Sequence, residues 1–117
     1  MSRQPIENED CEGLTPAEVL SRVYALCADG WPRGANHILT FAIDYRMAAG
    51  LWADIAEILR TADLSKMADL CVVGLLSATF PGRDKVDGRA EYAERARVEL
   101  GRRIGVGRAD ELIGGLR

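Results

Sequence analysis

The sequence predicts an all-α fold, a single compact domain of five to six helices arranged as helical hairpins around a central apolar helix at about 64–80. Three observations predict it. Leu64, Met67, Ala68, Cys71, Leu75 and Ala78 recur at three- and four-residue spacing, the period of a helix face. Aromatic residues make up only 6% of the chain, so the core must be built from Leu, Ile, Val and Ala, a composition that suits helices. The run Thr15-Pro16-Ala17-Glu18 carries the sequence signature of a helix start.

With 117 residues the chain holds one domain with a modest core. Residues 1–13 are polar and contain Glu7, Glu9, Asp10 and Glu12, and they read as a flexible acidic tail before a helical domain at 14–117. The first helix follows, with Thr15 as N-cap, Pro16 at N1 and Glu18 at N3, a capping box flanked by a Leu14–Val19 hydrophobic staple. Its apolar face is Val19, Leu20, Val23, Leu26 and Cys27, and Gly30 ends it.

Trp31-Pro32-Arg33-Gly34 reads as a turn, with Trp31 as a lid on the core. Asn36 is expected to cap a second helix over 37–49, with Ile38, Phe41, Ala42 and Tyr45 inward and His37, Thr40 and Asp44 as a polar stripe. A third helix runs over 51–61, with Trp52, Ile55, Ala56 and Leu59 on one face. A short connection to the next helix implies an antiparallel hairpin between the two.

The central run begins amphipathic and becomes apolar on nearly every side, so neighbours must cover most of it. Asp63 is the expected N-cap and Pro81-Gly82 the stop. Gly74 in mid-helix costs about 1 kcal/mol against Ala, which implies that another helix crosses closely there. Residues 81–85 form an exposed loop. A fifth helix within 86–104 presents a narrow stripe of Ala90, Ala93, Ala96, Leu100 and Ile104 among many charges. A short last helix over 108–113 carries Leu112 and Ile113, with Leu116 tucked behind. The segments beginning at Ala17 and Ala53 share a loose amphipathic pattern, short of a solenoid repeat.

Function is harder to read. The single histidine, His37, is two helix turns from Asp44, too far for a direct hydrogen bond at 1.5 Å rise per residue, and no Gly-x-Ser-x-Gly elbow is present. Asp54 with Glu57, and Glu91 with Glu94, are carboxylate pairs at i,i+3, but one histidine does not supply the two Glu-x-x-His motifs of a di-metal bundle. Gly105 and Gly107 precede a helix without the Gly-Lys-Ser/Thr of a phosphate loop. No catalytic residue, cofactor site or metal site is expected, and the chain is read as a non-enzyme.

Cys11, Cys27 and Cys71 are odd in number and widely spaced, which suits reduced thiols in the cytoplasm better than a disulfide framework. The N-terminus has no apolar signal region, and no apolar run is long enough to span a bilayer. Helix 5 lacks bulky anchors for a membrane surface.

Charge is uneven. Residues 1–82 hold 6 basic and 11 acidic residues, net −5, and residues 83–117 hold 9 and 7, net +2. By subtraction the expected function is a protein–protein interaction module, an adaptor or inhibitor of a larger cytoplasmic assembly. Its expected partner contacts are Arg83, Asp84, Lys85, Arg89 and Arg95, with Trp31 in reserve. The alternative is a nucleic-acid-associated regulator using the C-terminal arginines, which the interleaved Glu91, Glu94 and Glu99 and the overall net charge of −3 argue against. A homo-oligomer is also expected, because a long apolar helix is hard to cover with short neighbours.

Overall fold

The structure, a computed structural model, describes residues 13–117. The acidic tail and Cys11 lie outside the described residues. Among the described residues six α-helices follow in order: α1 (Pro16–Ala28), α2 (Pro32–Ala48), α3 (Trp52–Thr61), α4 (Asp69–Thr79), α5 (Arg89–Ile104) and α6 (Val106–Ile113). Single 3-10 turns lie at Leu64–Lys66, Phe80–Gly82 and Gly114–Leu116. The body measures 37 × 36 × 20 Å, two helix diameters thick in its short direction.

The start of α1 is as its sequence dictates. Thr15 Oγ1 accepts from the Glu18 N–H at 3.1 Å and Glu18 Oε1 accepts from the Thr15 N–H at 3.0 Å. These bonds to Thr15 hold the Glu18 carboxyl below the usual carboxylate range. Gly30 supplies the left-handed backbone that turns the chain into α2.

The second helix starts earlier than expected. Pro32 sits at N1, as Pro16 does in α1, so Pro32 to Gly34 belong to the helix and Asn36 lies inside it rather than capping it. Trp31 holds the N-cap position and folds its ring over Gly34, where an added Cβ would lie 2.6 Å from the ring. The ring is half-buried, consistent with a lid.

The central run is not one helix. Asp63 accepts from the Ser65 N–H and hydroxyl and caps only the 3-10 turn at Leu64–Lys66. Met67 and Ala68 are then extended, and α4 begins at Asp69. Met67 is buried through this break, so the apolar spacing continues while the helix does not. Within α4, Cys71, Val72, Leu75, Leu76 and Thr79 are buried, Val73 and Ala78 are half-buried, and Leu70 and Ser77 face out.

α4 packs chiefly on α2, and the crossing point is Gly74, where a Cβ would fall 1.9 Å from Asn36 Oδ1. α1 pairs with α2, and α5 with α6. The expected α3–α4 hairpin does not form. The 3-10 turn and extended pair redirect the chain, and α3 packs on α1, α2 and α5 instead.

Long arginines join these pieces. Arg46 is buried and donates to the carbonyls of Ala42 and Leu14, fastening the start of α1 to α2. Arg89 is buried and donates to Thr79 Oγ1 at 2.9 Å, to the Leu76 carbonyl at 2.7 Å and to the Leu116 carbonyl. Arg103 donates to the carbonyls of Leu64 and Met67 and pairs with Asp69 and Glu99. The narrow alanine stripe of α5 is as expected at Ala93, Ala96 and Leu100, but Ala90 faces solvent and Tyr92 joins the core, its hydroxyl donating to the Val72 carbonyl at 2.8 Å. In α6 Ile113 is buried and Leu116 half-buried behind it, while Leu112 is exposed.

Candidate functional site

The segment between α4 and α5 is a short platform held at both ends. Gly82 seats it on the core, since a Cβ there would fall 2.7 Å from the Trp52 ring. Val86 is buried and anchors the far end, and Gly88, at φ +81°, turns the chain into α5. Between these anchors Arg83, Asp84 and Lys85 are exposed, as their sequence implies. The Arg83 guanidinium stacks 4.0 Å over the Phe80 ring and donates to the Phe80 carbonyl. The Lys85 ammonium lies 5.2 Å from the Trp52 ring centroid.

Two hollows flank this platform. One, of about 590 Å³, is lined by Arg83, Asp84, Asp87, Arg89, Glu91 and Arg117 among others. The other, of about 740 Å³, is an open groove between α3 and α5. Its apolar surface comes from Ala53 and Ala56, with the buried Leu59 and Tyr92 beneath them, and its polar rim from Asp54, Glu57, Arg60, Asp87, Glu91 and Arg95. Asp87, Gly88 and Glu91 belong to both hollows, so the two are continuous along the first turn of α5.

The rim is net acidic. Asp54 lies 3.5 Å from Arg46 Nε, within ion-pair reach but not hydrogen-bonded, and Glu57 lies 3.5 Å from Arg60. Asp87 and Glu91 make no ion pair among the described residues. The Arg95 guanidinium is turned to the C-terminal end of α3, donating to the Leu59 carbonyl at 3.0 Å and to that of Ala62.

Four of the six residues expected at a partner surface therefore come together: Arg83 and Asp84 with Arg89 in one hollow, and Arg95 in the adjoining groove. Lys85 stands beside them on the platform. Arg89 corrects the reading of it as a surface contact, because its guanidinium is buried and holds α4 and the C-terminus to α5. Burial, and then the nearby charge of Arg83, lowers its pKa. Trp31 lines a separate hollow with Arg33, His37 and Leu70.

Sequence reasoning missed the groove. Asp54 with Glu57, and Glu91 with Glu94, appear along the chain as two unrelated helix faces. Packing of α3 on α5 gathers Asp54, Glu57 and Glu91 around one groove, while Glu94 turns away to Arg97 and Arg117. Only knowledge of the α3–α5 pairing would have revealed it. Among the described residues no group of three His, Cys, Asp or Glu side chains is placed to hold a metal ion. No helix among them is long and apolar enough to cross a membrane. Comparison with family models, with curated proteins and with solved structures finds no match to this chain.

Proposed function

We propose that this protein is a non-enzymatic interaction module, an adaptor or inhibitor in a larger cytoplasmic assembly, and that it docks a basic amphipathic segment of a partner protein. The observation that carries this reading is the α3–α5 groove, where Ala53 and Ala56 offer apolar surface above the buried Leu59 and Tyr92, beneath a rim on which Asp87 and Glu91 make no ion pair among the described residues. A segment with apolar residues on one face and Lys or Arg at its margins matches both features. Arg83, Asp84 and Lys85 stand at one end of the groove, where they set orientation rather than supply most of the contact.

The disposition of the α5 arginines favours a protein partner over nucleic acid. Arg89, Arg95 and Arg103 point to backbone carbonyls, Arg97 pairs with Glu94, and Arg102 pairs with Glu99. A phosphate-binding face needs cations that are not already engaged.

The test uses a Lys/Leu amphipathic helical peptide, a Glu/Leu counterpart, and nuclear magnetic resonance mapping on the full chain. Shifts confined to the groove with the basic peptide, weakened by salt and lost in Asp87→Lys/Glu91→Lys, are the expected result. Binding that ignores the double substitution, or that maps to another face, overturns the reading.

A further inference from the structure

Cys27 and Cys71 are separated by 44 residues, yet their Sγ atoms lie 3.7 Å apart where the end of α1 meets the start of α4. The two sulfurs differ in access. Cys71 is fully buried, and its thiol donates to the Pro32 carbonyl at 3.5 Å. Burial, and then the neighbouring Cys27 sulfur, pushes the Cys71 thiol up to about 12. Cys27 is half-buried and lines an open cleft of about 740 Å³ with Tyr24, Lys66, Met67 and Arg102. The Ala68 N–H, at the N-cap of α4, donates to Cys27 Sγ at 3.4 Å and holds that sulfur in place beside Cys71.

We propose that Cys27 and Cys71 form a dithiol exchange site that reacts with a small-molecule disulfide of the glutathione class and becomes a covalent staple between α1 and α4. Cys27, the accessible sulfur, gives its proton to solvent and attacks one sulfur of glutathione disulfide. The S–S bond of the reagent breaks, a Cys27–glutathione bond forms, and one glutathione leaves as thiolate. That thiolate is protonated from solvent, and Cys71, whose burial disfavours its thiolate and makes this the slow step, releases its own proton to solvent. Cys71 then attacks Cys27 Sγ, the mixed disulfide breaks, and the second glutathione leaves and is protonated from solvent. Two protein thiols are oxidised to one disulfide, and one glutathione disulfide is reduced to two glutathione thiols.

Geometry and charge both suit this exchange. Closing the bond shortens the Sγ–Sγ separation from 3.7 Å to about 2.05 Å. Buried Cys71 is shielded from external reagents, so the order of attack is set by access. The cleft offers a cation to the carboxylates of glutathione: Lys66 makes no ion pair among the described residues and lies over the Tyr24 ring, while Arg102, which also lines the cleft, is paired with Glu99.

The experiment equilibrates the full chain with mixtures of reduced and oxidised glutathione, quenches with acid, alkylates, and reads intact mass and linked peptides. A Cys11→Ser chain removes the third thiol. The expected product has lost two hydrogens, carries a Cys27–Cys71 linkage, and melts at a higher temperature than the reduced form. Cys71→Ala accumulates one glutathionyl group on Cys27, and Cys27→Ala leaves Cys71 unmodified. Recovery of both cysteines fully alkylated from oxidising mixtures overturns the proposal, and so does linkage only through Cys11 in the unsubstituted chain. The unsubstituted chain and Cys11→Ser decide the matter even if a core variant fails to fold.

Discussion

Asn36 Oδ1 occupies the place where a side chain at position 74 would be: a Cβ on Gly74 would lie 1.9 Å from it. This contact sets the separation of α2 and α4, the two helices that form the centre of the core. The Asn36 oxygen is buried there without a hydrogen-bond partner among the described residues.

Gly74→Ala is therefore expected to destabilise the protein, although Ala is the better helix former by about 1 kcal/mol. Overpacking costs about 1–3 kcal/mol, so the net loss should be on the order of 1 kcal/mol. Asn36→Ala removes the clashing oxygen, and the double variant should recover most of the loss. Urea unfolding of the four proteins as a double-mutant cycle checks this; additive single effects would show that the two residues do not share the space.

Arg89→Ala should lower stability by about 2–3 kcal/mol, because three acceptors lose a charged donor. Arg89→Lys should rescue little, since an ammonium does not reproduce the planar fork that reaches Thr79, Leu76 and Leu116 together. A wild-type midpoint in thermal unfolding of Arg89→Lys would refute the clamp.

Substitution of Arg83 and Lys85 by Ala should leave stability nearly unchanged, within about 1 kcal/mol, since both are exposed and their ring contacts are of the cation–π kind. The same double variant removes two cations that repel a basic peptide, so it should tighten the peptide's hold at that end of the groove and alter its register there, read as a local change in the mapped shifts. Equal unfolding curves with altered peptide contacts would separate docking from folding at this loop.

Stability should fall at alkaline pH for a defined reason. Burial raises the Cys71 thiol to about 12 and also raises the Tyr92 phenol, so the fold holds both groups protonated and neutral. In an unfolded chain they ionise near about 8.5 and about 10. Their contribution is complete below those values and is lost as pH climbs towards about 12 for Cys71 and further for Tyr92. Cys71→Ala and Tyr92→Phe should each flatten the alkaline limb of a stability–pH curve measured in urea, and an unchanged slope would refute the assignment.

The parts legible in the sequence were those set by local chemistry. Thr15, Pro16 and Glu18 act within one turn, so their meaning does not depend on the rest of the chain. Pro32 carries the same signal as Pro16, but Trp31 and Gly34 flank it and give the stretch the composition of a turn. The break before α4 was hidden because Met67 and Ala68 keep the apolar spacing while their backbone is extended. Gly74 marks the crossing point in the sequence itself, since a mid-helix glycine in an apolar run costs helix stability that a close approach offsets. The groove and the Cys27–Cys71 pair could not be read, because each depends on which distant helices meet. The same holds for Arg89 and Arg103, whose long side chains look like surface charge until the carbonyls they reach are known.

The arginine attachments of α5 also bear on the order in which the molecule is assembled. Arg95 and Arg103 reach carbonyls 33 to 39 residues earlier in the chain, and Arg89 reaches that of Leu76, so α5 binds acceptors spread over the end of α3, the Leu64–Met67 stretch and α4, which are in place together only once all three have formed. Its own apolar stripe is too narrow to hold it in a collapsed but unfinished chain. The expectation is a late-docking helix: Arg103→Ala should speed unfolding far more than it slows refolding, placing α5 outside the folding nucleus. An equal effect on both rates would instead put α5 in the transition state.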